Sequence, residues 1–247
     1  WALDSALTEL GDDSNVVEYW CRQEWKHIEA HADVDERLAI EEQIYRYPRN
    51  GHVLYLQVGT EVRGPTCLFP GRKTGGDLAT TDDGDGNSGI QLVTVPAVEG
   101  RLLRFEGCVL HAVPRPADLW LLPFTKYGPR EPESKFGRSV VLFNTWPDNP
   151  PPRGVHVHVD DAGLLLDCDD LVQCEQYETW NKIPIRDEAP MVDADNGEDF
   201  VSKCKIWLLG DNPRRGYPDR TVRLQAPPDL KDVLEEPRNP VATWLRR

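Results

Sequence analysis

Residues 51–69 read GHVLYLQVGTEVRGPTCLF, which is two apolar runs separated by a more polar loop. The first run ends at Gly59, and the second ends at Pro70 and Gly71. Short runs that are rich in β-branched and aromatic residues and bounded by glycine or proline are typical of β-strands. The stretch therefore predicts two strands joined by a loop.

The same pattern recurs on both sides and predicts a mainly β chain with the many short strands of a barrel or a sandwich. One helix is predicted over 35–45, and a loop is predicted over the acidic segment 186–199. The proline-rich segment 147–153 separates the first set of strands from the C-terminal region. The other predicted strands are 16–28, 90–95, 101–105, 109–113 and 139–146 before that segment, and 155–159, 203–209 and 221–224 after it.

The charge of the chain limits its partners. Its 247 residues include 28 basic and 42 acidic side chains, which gives a formal net charge of −14. Such a field repels a phosphate backbone, and no basic stripe is interleaved with aromatic residues, so the sequence argues against nucleic acid as a partner. No run is long and apolar enough to span a membrane. A small-molecule or peptide substrate is the expected partner.

The cysteines and the N-terminal segment give less information about the protein. Six cysteines occur without a CxxC pair, which argues against a zinc ribbon and favours buried free thiols over disulfides. Residues 1–10 have neither a basic start nor an apolar core, so no signal peptide is predicted. Because the chain begins at Trp1, a targeting segment can have been removed. The compartment stays open, with the cytoplasm slightly favoured, and the oligomeric state is not indicated.

Two histidines and one aspartate are candidate metal ligands. His31 and Asp33 are two residues apart, and such residues project from the same face of a strand. His111 lies in a separate strand-like run, 108–113. Two imidazoles and a carboxylate on one face of a metal leave positions for an oxoacid and dioxygen, which suits iron(II). Asp35 or Glu36 is an alternative carboxylate.

The order of the following segments resembles that of the 2-oxoglutarate/iron(II) dioxygenases, particularly the prolyl 4-hydroxylase-like branch. His31-Ala-Asp33 is followed by the apolar strand and the Gly-Pro-Thr turn within 51–69. Next come PAVEGRLLRFEGCVLHAV at 96–113 and GRSVVLFNTW at 137–146. The resemblance covers about residues 17–146 and rests on several separate segments in the family's order.

The resemblance implies a double-stranded β-helix, which is a jelly-roll or cupin-like core, with flanking helices. The length of the chain predicts a single domain over 1–247, with its core motifs within 17–146 and the C-terminal extension 150–247 packed on them, a small separate appendage being the alternative. The implied activity is hydroxylation of a C–H bond of a peptidyl residue or a small metabolite, with release of succinate and carbon dioxide. Its cofactors would be Fe2+ and the cosubstrate 2-oxoglutarate, with ascorbate as a candidate reductant.

Residue by residue, the resemblance implies that His31, Asp33 and His111 are the iron ligands. Arg138 would pair with the distal carboxylate of 2-oxoglutarate, which suits a planar guanidinium. Tyr55 would offer its phenol to the same carboxylate, and Thr66 would add a hydroxyl. An aspartate at 33, where halogenating members have a small residue, favours hydroxylation, demethylation or desaturation over halogenation.

Several alternatives stay open at this point. Arg138 follows His111 by 27 residues, more than is usual in the family, so Arg115 and Arg130 are fallback candidates. The strand-like segment 156–160 carries His156, His158 and Asp160 on alternate positions and is a rival zinc or iron site. Segment 83–88 has calcium-loop spacing in Asp83, Asp85 and Asn87 but lacks the glycine, and is interpreted as a turn.

Two other functions would also fit the sequence. A non-oxidative cupin-like metal-binding module would not need Arg138, and a protein-interaction module would use 150–247 as its working surface. Trp120, in the loop after His111, is a candidate for covering substrate.

Overall fold

The structure, a computed structural model, is mainly β. It describes residues 7–24, 28–62, 64–70, 89–113, 137–147, 151–153, 180–187, 203–208, 220–225 and 230–246. In the described ranges, no helix is long and apolar enough to cross a membrane.

The first eight strands contain the segments that the sequence singled out. They are β1 (Val16–Glu24), β2 (Ile28–His31), β3 (Asn50–Val58), β4 (Thr66–Phe69), β5 (Gly89–Val95), β6 (Leu102–Glu106), β7 (Leu110–Val113) and β8 (Arg138–Trp146). The remaining strands are β9 (Arg186–Asp187), β10 (Lys203–Leu208), β11 (Arg220–Gln225) and β12 (Val241–Arg246). Helices within the described residues include α1 (Glu36–Glu42) and α2 (Leu230–Glu235).

The eight strands pair as nested antiparallel partners. Strand β1 pairs with β8, β2 with β7, β3 with β6, and β4 with β5. Additional pairing of β3 with β8 and of β4 with β7 joins these partners into two sheets. Sheet A has the order β1-β8-β3-β6, and sheet B contains β2-β7-β4-β5 at its centre. Successive pairs in the nest therefore alternate between the two sheets.

Strands from the C-terminal region extend sheet B at both ends. Strand β12 runs antiparallel to β5, with Val241 opposite Thr94, and β9 runs parallel to β12. At the other end, β10 joins β2 through Leu208 and Ala30 and pairs with β11 along its length. The order of sheet B is therefore β11-β10-β2-β7-β4-β5-β12-β9.

The core lies between the two sheets. One buried cluster unites side chains from β3, β6 and β8 with side chains from β4, β5 and β12, so the sheets pack face to face. On β3, Val53 and Tyr55 point into this cluster, whereas His52 points to the opposite side, as the period of two requires. On β8, Val140 belongs to the cluster, so Arg138 and Asn144 share its inward face.

Helix α1 begins where its sequence provides a cap. Asp35 is 1% exposed, and its side chain accepts a hydrogen bond from the backbone N–H of Leu38. The second carboxylate oxygen accepts from the backbone N–H of Arg153, which ties the proline-rich segment to the helix. The helix ends at Gln43, whose positive φ of 57° is the left-handed conformation common at helix ends.

Within the described residues most of the predicted elements are present, with four differences, and the predicted strand 155–159 lies outside those residues. The predicted run 16–28 is two strands, because the chain passes from sheet A to sheet B between them. The helix predicted over 35–45 is shorter, since Asp35 caps it and Gln43 ends it. A loop was expected over 186–199, but its first two residues pair with β12. Strand β12 and helix α2 were not predicted.

Free cysteines in the described residues differ in their burial. Cys67 is buried, and burial raises the pKa of its thiol to about 12, so it is inert and neutral at ordinary pH. Cys21 is exposed, contrary to the expectation of buried thiols, because it projects from the outer side of β1 at the edge of sheet A.

A buried carboxylate anchors the N-terminal segment on the outer side of sheet A. Asp12 accepts hydrogen bonds of 2.7 Å from the side chains of Asn50 and Thr145. Burial alone would raise the pKa of Asp12, but hydrogen bonds from Ser14, Thr145 and Asn50 outweigh it and lower the pKa to about 2. The network therefore stays charged and intact throughout the neutral and mildly acidic range.

Beside this network, His52 is buried in its neutral form. Its ring stacks on Phe143 with centroids 4.2 Å apart, and its Nδ1–H donates to the Phe143 carbonyl over 3.2 Å. Its Nε2 has no hydrogen-bond partner in the part of the chain that the structure describes. Burial is the main reason that the pKa of His52 falls from 6.5 to about 4.

This shift predicts that acid destabilises the fold through His52. The unfolded chain takes up a proton below about pH 6.5, whereas the folded chain does so only near pH 4. The stability present above pH 6.5 is therefore lost as the pH falls toward 4, by about 2 kcal/mol between roughly pH 7.5 and pH 5. Urea unfolding of the wild type and of His52→Leu at both pH values measures this loss. Equal pH dependence in the two proteins would contradict it.

Candidate metal centre

The structure brings His31, Asp33 and His111 together on the inner face of sheet B. His31 on β2 and His111 on β7 are cross-strand partners, and directly opposed residues project from the same face. His111 is also the partner of Leu68 on β4, which belongs to the core cluster. Both imidazoles therefore point between the sheets, although β2 and β7 join sequence segments about 80 residues apart.

Asp33 reaches the site from just beyond a strand. The sequence placed His31 and Asp33 on one strand, but β2 ends at His31. Residues 32–35 leave the sheet to start helix α1, after an irregular register between Ile28 and His31. The carboxylate nevertheless turns back toward the imidazoles. His31 and Asp33 therefore share a site because the chain turns after β2, and not because both lie on one face of a strand.

The three side chains are close enough to share one ion. The Nε2 atom of His31 lies 3.7 Å from Oδ1 of Asp33, and the Nε2 atom of His111 lies 4.0 Å from Oδ2. One ligand atom from each residue falls within 4.8 Å of the other two. Metal–ligand bonds of about 2 Å place two ligands of one ion roughly 3 to 4 Å apart. The three side chains would therefore need to move only slightly toward one another to bind one ion.

The surroundings of His111 prepare it as a ligand. Its Nδ1–H donates to the Val109 carbonyl over 3.2 Å, and since a carbonyl can only accept, Nε2 carries the free lone pair. Burial, followed by the nearby His31, lowers the pKa of His111 to about 4. The ring packs against Phe105 with centroids 4.8 Å apart. The imidazole is thus oriented, desolvated and neutral, as a metal ligand must be.

Asp33 is held by a neighbour on the opposite sheet. The side-chain N–H of Asn144 donates to Oδ2 of Asp33 over 3.2 Å. Asn144 is 3% exposed, and its cross-strand partners are Glu18 on β1 and Gly51 on β3. Burial raises the pKa of Glu18, and the carboxylate of Asp33 raises it further. Two acids therefore lie near the centre, and a bound cation would stabilise the charge of both.

This donor set fits a dication such as iron(II). Two neutral imidazoles and one carboxylate are nitrogen and oxygen donors of the kind that transition metals prefer, and three ligands leave positions for other groups. Without a cation, the carboxylate of Asp33 faces the buried ring of His111, the partly exposed ring of His31 and a second acid, Glu18. The residues present therefore fit a metal ion.

A second polar group lies in the same interior. The hydroxyl of Tyr55 on sheet A and that of Thr66 on sheet B form a 2.7 Å hydrogen bond across the core. Tyr55 is completely buried, and Thr66 is 4% exposed. Thr66 is two residues from Leu68 on β4, so its hydroxyl lies about 7 Å along the strand from the partner of His111.

Arg138 occupies the start of β8, on the face that also carries Asn144. Arg138 is 5% exposed, and its guanidinium donates to the Gly64 carbonyl over 3.3 Å, two residues before Thr66. A buried arginine is uncommon because desolvating its charge is costly. The predicted cosubstrate residues thus lie together at one part of the interior, and the predicted iron ligands lie together at another.

The alternatives have different outcomes. Both oxygens of Asp35 are committed to capping α1 and to Arg153, so Asp35 serves the helix. Arg115, Arg130, Trp120, the 156–160 group and the calcium-like segment lie outside the described residues, and so does the part of 186–199 after Asp187.

Sequence reasoning missed the residues that support the ligands. Asn144 was read only as part of a strand, although a lone amide inside the buried run RSVVLFNTW is a detectable signal. Gly51 was also missed: a Cβ there would lie 2.7 Å from the ring of Phe105 and 3.4 Å from Oδ1 of Asn144. Its missing side chain leaves room for the groups that contact His111 and Asp33.

Comparison of the chain with protein-family models, with curated proteins and with solved structures found no match.

Proposed function

We propose that the chain is an iron(II)- and 2-oxoglutarate-dependent oxygenase built on a double-stranded β-helix. The observation that carries the proposal is the convergence of His31, Asp33 and His111, within 4.8 Å, on the inward face of a two-sheet β fold. The resemblance in sequence order and the interior arginine support the same class.

The strand pairing supports the fold part of the proposal. Eight consecutive strands that pair first with last, second with seventh, third with sixth and fourth with fifth wrap as a jelly roll when successive pairs alternate between sheets. Sheet orders β1-β8-β3-β6 and β2-β7-β4-β5 follow from that wrapping. Enzymes of the proposed class carry their metal inside such a barrel, between the two sheets.

The interior polar group supports the cosubstrate. Arg138 supplies a fixed, buried positive charge on the same side of β8 as the residue that contacts Asp33. The hydroxyls of Tyr55 and Thr66 are buried, and one of them donates a hydrogen bond to the other. One carboxylate of 2-oxoglutarate, on entering this region, would gain an ion pair and two hydrogen bonds. The ketone and the other carboxylate of the same molecule would extend toward the metal.

The residues then have distinct tasks. His31, Asp33 and His111 hold the metal and leave adjacent positions free, and the apolar side chains of Phe105 and Leu68 lie beside His111. Arg138 orients the cosubstrate. Bound iron(II) supplies the redox chemistry with dioxygen, which couples decarboxylation of the oxoacid to oxidation of a substrate C–H bond. We propose a peptidyl residue or a small metabolite as that substrate.

The proposal is tested by release of carbon dioxide and succinate from 2-oxoglutarate. We expect a slow release that requires both iron(II) and dioxygen, is stimulated by a substrate from a panel of peptides and metabolites, and is increased by ascorbate. Asp33→Ala is the matched inactive control. Failure of every panel member, with no iron-dependent background release, would contradict the oxygenase and favour a non-oxidative cupin-like metal-binding module.

A further inference from the structure

A buried amide on sheet A contacts the carboxylate of the proposed metal centre on sheet B. Asn144 donates from Nδ2 to Oδ2 of Asp33, and the two residues are 111 positions apart in the chain. The contact crosses the core and joins the sheet that carries Arg138 to the sheet that carries both histidines. We infer that Asn144 is a positioning residue, which orients Asp33 for metal binding by hydrogen bonding to one of its oxygens.

The geometry fixes which end of the amide faces the carboxylate. A carboxylate only accepts hydrogen bonds, so the NH2 group must point to Asp33 and the amide oxygen must point away. The amide oxygen lies over Gly51, where a Cβ atom would be 3.4 Å from it. Glycine on the neighbouring strand thus leaves room for the amide of Asn144.

The bond separates the roles of the two carboxylate oxygens. Oδ2 is engaged by Asn144 and lies 4.0 Å from the Nε2 atom of His111, whereas Oδ1 lies slightly closer to a histidine, 3.7 Å from the Nε2 atom of His31. An oxygen that already accepts a hydrogen bond is a poorer second ligand, so Asn144 favours binding through Oδ1 alone. Single-oxygen binding would keep one more metal position available, and the proposed function needs such positions for the oxoacid and dioxygen.

Asp33 has particular need of such support. It lies two residues beyond the end of β2, so no strand hydrogen bonds fix its backbone in the way that they fix the two histidines. A partner on a central strand of sheet A supplies the rigidity that the local backbone lacks. Groups that hydrogen-bond a metal ligand typically contribute about 10- to 100-fold in metal affinity.

The test is a double-mutant cycle on Ni2+ affinity, measured by calorimetry on the full chain without a metal-binding tag. Nickel is chosen because two imidazoles alone retain measurable affinity for it. We expect Asn144→Ala to weaken Ni2+ binding about 10- to 100-fold when it is introduced into the otherwise wild-type chain. In the Asp33→Ala background, we expect Asn144→Ala to change affinity less than about twofold, because the group through which it acts is gone.

The matched control is Thr145→Val. Thr145 is the adjacent residue on β8, is equally buried, and donates to a carboxylate on the other side of the sheet, Asp12. The Thr145→Val variant should have a lower thermal stability than the wild type and a Ni2+ affinity within about twofold of it. Asn144→Ser, which is too short to reach Asp33, replaces Asn144→Ala if that variant does not fold.

The inference rests on the proposed metal centre, and the cycle distinguishes the two. If Asp33→Ala and His111→Ala bind Ni2+ as tightly as the wild type, the metal centre itself is wrong, and the positioning role falls with it. If those variants lose affinity but Asn144→Ala does not, only the role of Asn144 is wrong. An equal loss in both backgrounds would show a general structural effect and would also overturn the inference.

Discussion

Replacing Asp33 by alanine should weaken iron(II) binding about a hundredfold and abolish succinate formation. A site that binds a metal with about 10–16 kcal/mol through four ligands gains roughly 3 kcal/mol from each, which is about a hundredfold in affinity. Asp33 is also the only anion of the donor set that the structure brings together. Anaerobic calorimetry with iron(II), or with Mn2+ as an oxygen-stable substitute, measures the loss.

Asp35→Asn is the informative control for this prediction. Asp35 is the neighbouring carboxylate that the sequence left as an alternative ligand, and it caps α1. Its replacement keeps a helix cap, because asparagine caps about as well as aspartate, and should leave metal affinity unchanged. If Asp35→Asn abolished metal binding while Asp33→Ala did not, the assignment of the carboxylate ligand would be wrong.

Replacing Arg138 by alanine should weaken the binding of 2-oxoglutarate about 100- to 5,000-fold and leave metal affinity within about threefold. Removing one partner of a buried ion pair costs about 3–5 kcal/mol, because the other charge is left desolvated and unpaired. Arg138 meets this condition, since only 5% of it is exposed. Titration of the Mn2+-loaded protein with 2-oxoglutarate, in the absence of dioxygen, gives both affinities.

Arg104→Ala is the control for the loss of a basic residue. Arg104 lies on β6 and donates to the Leu10 carbonyl on the outer side of sheet A, away from the core. It should leave 2-oxoglutarate affinity unchanged while loosening the N-terminal segment. An Arg138→Ala protein that binds 2-oxoglutarate normally would direct attention to Arg115 and Arg130.

Much of the central fold could be predicted because its strands are local patterns. The apolar runs around Tyr55, Leu68 and Val93 are short, bounded by turn residues, and buried on at least one face. Their residue pattern and their flanking turn residues therefore identify them as strands. Strand β12 carries alternating residues too, but it was missed, because its place in sheet B depends on pairing with β5 about 150 residues earlier. Pairing at that distance leaves no local trace.

In the candidate site, too, local patterns could be predicted from the sequence and long-range contacts could not. His31 and Asp33 could be selected from their spacing, but the reason given was partly wrong, because Asp33 is not on a strand. His111 was selected from the order of segments, and its contact with His31 depends on the pairing of β2 with β7. Asn144, Gly51 and Phe105 were missed because supporting residues are defined by three-dimensional contacts and have no fixed spacing from the ligands.

The central claim is that three distant side chains hold one iron(II) and leave adjacent positions open to an oxoacid. Visible absorption under anaerobic conditions tests it most directly. Adding iron(II) and 2-oxoglutarate to the wild type should produce the weak charge-transfer band of an oxoacid chelated to iron, and neither addition alone should do so. In His111→Ala the band should be absent. A band of equal strength in that variant, or its absence from the wild type, would contradict the account.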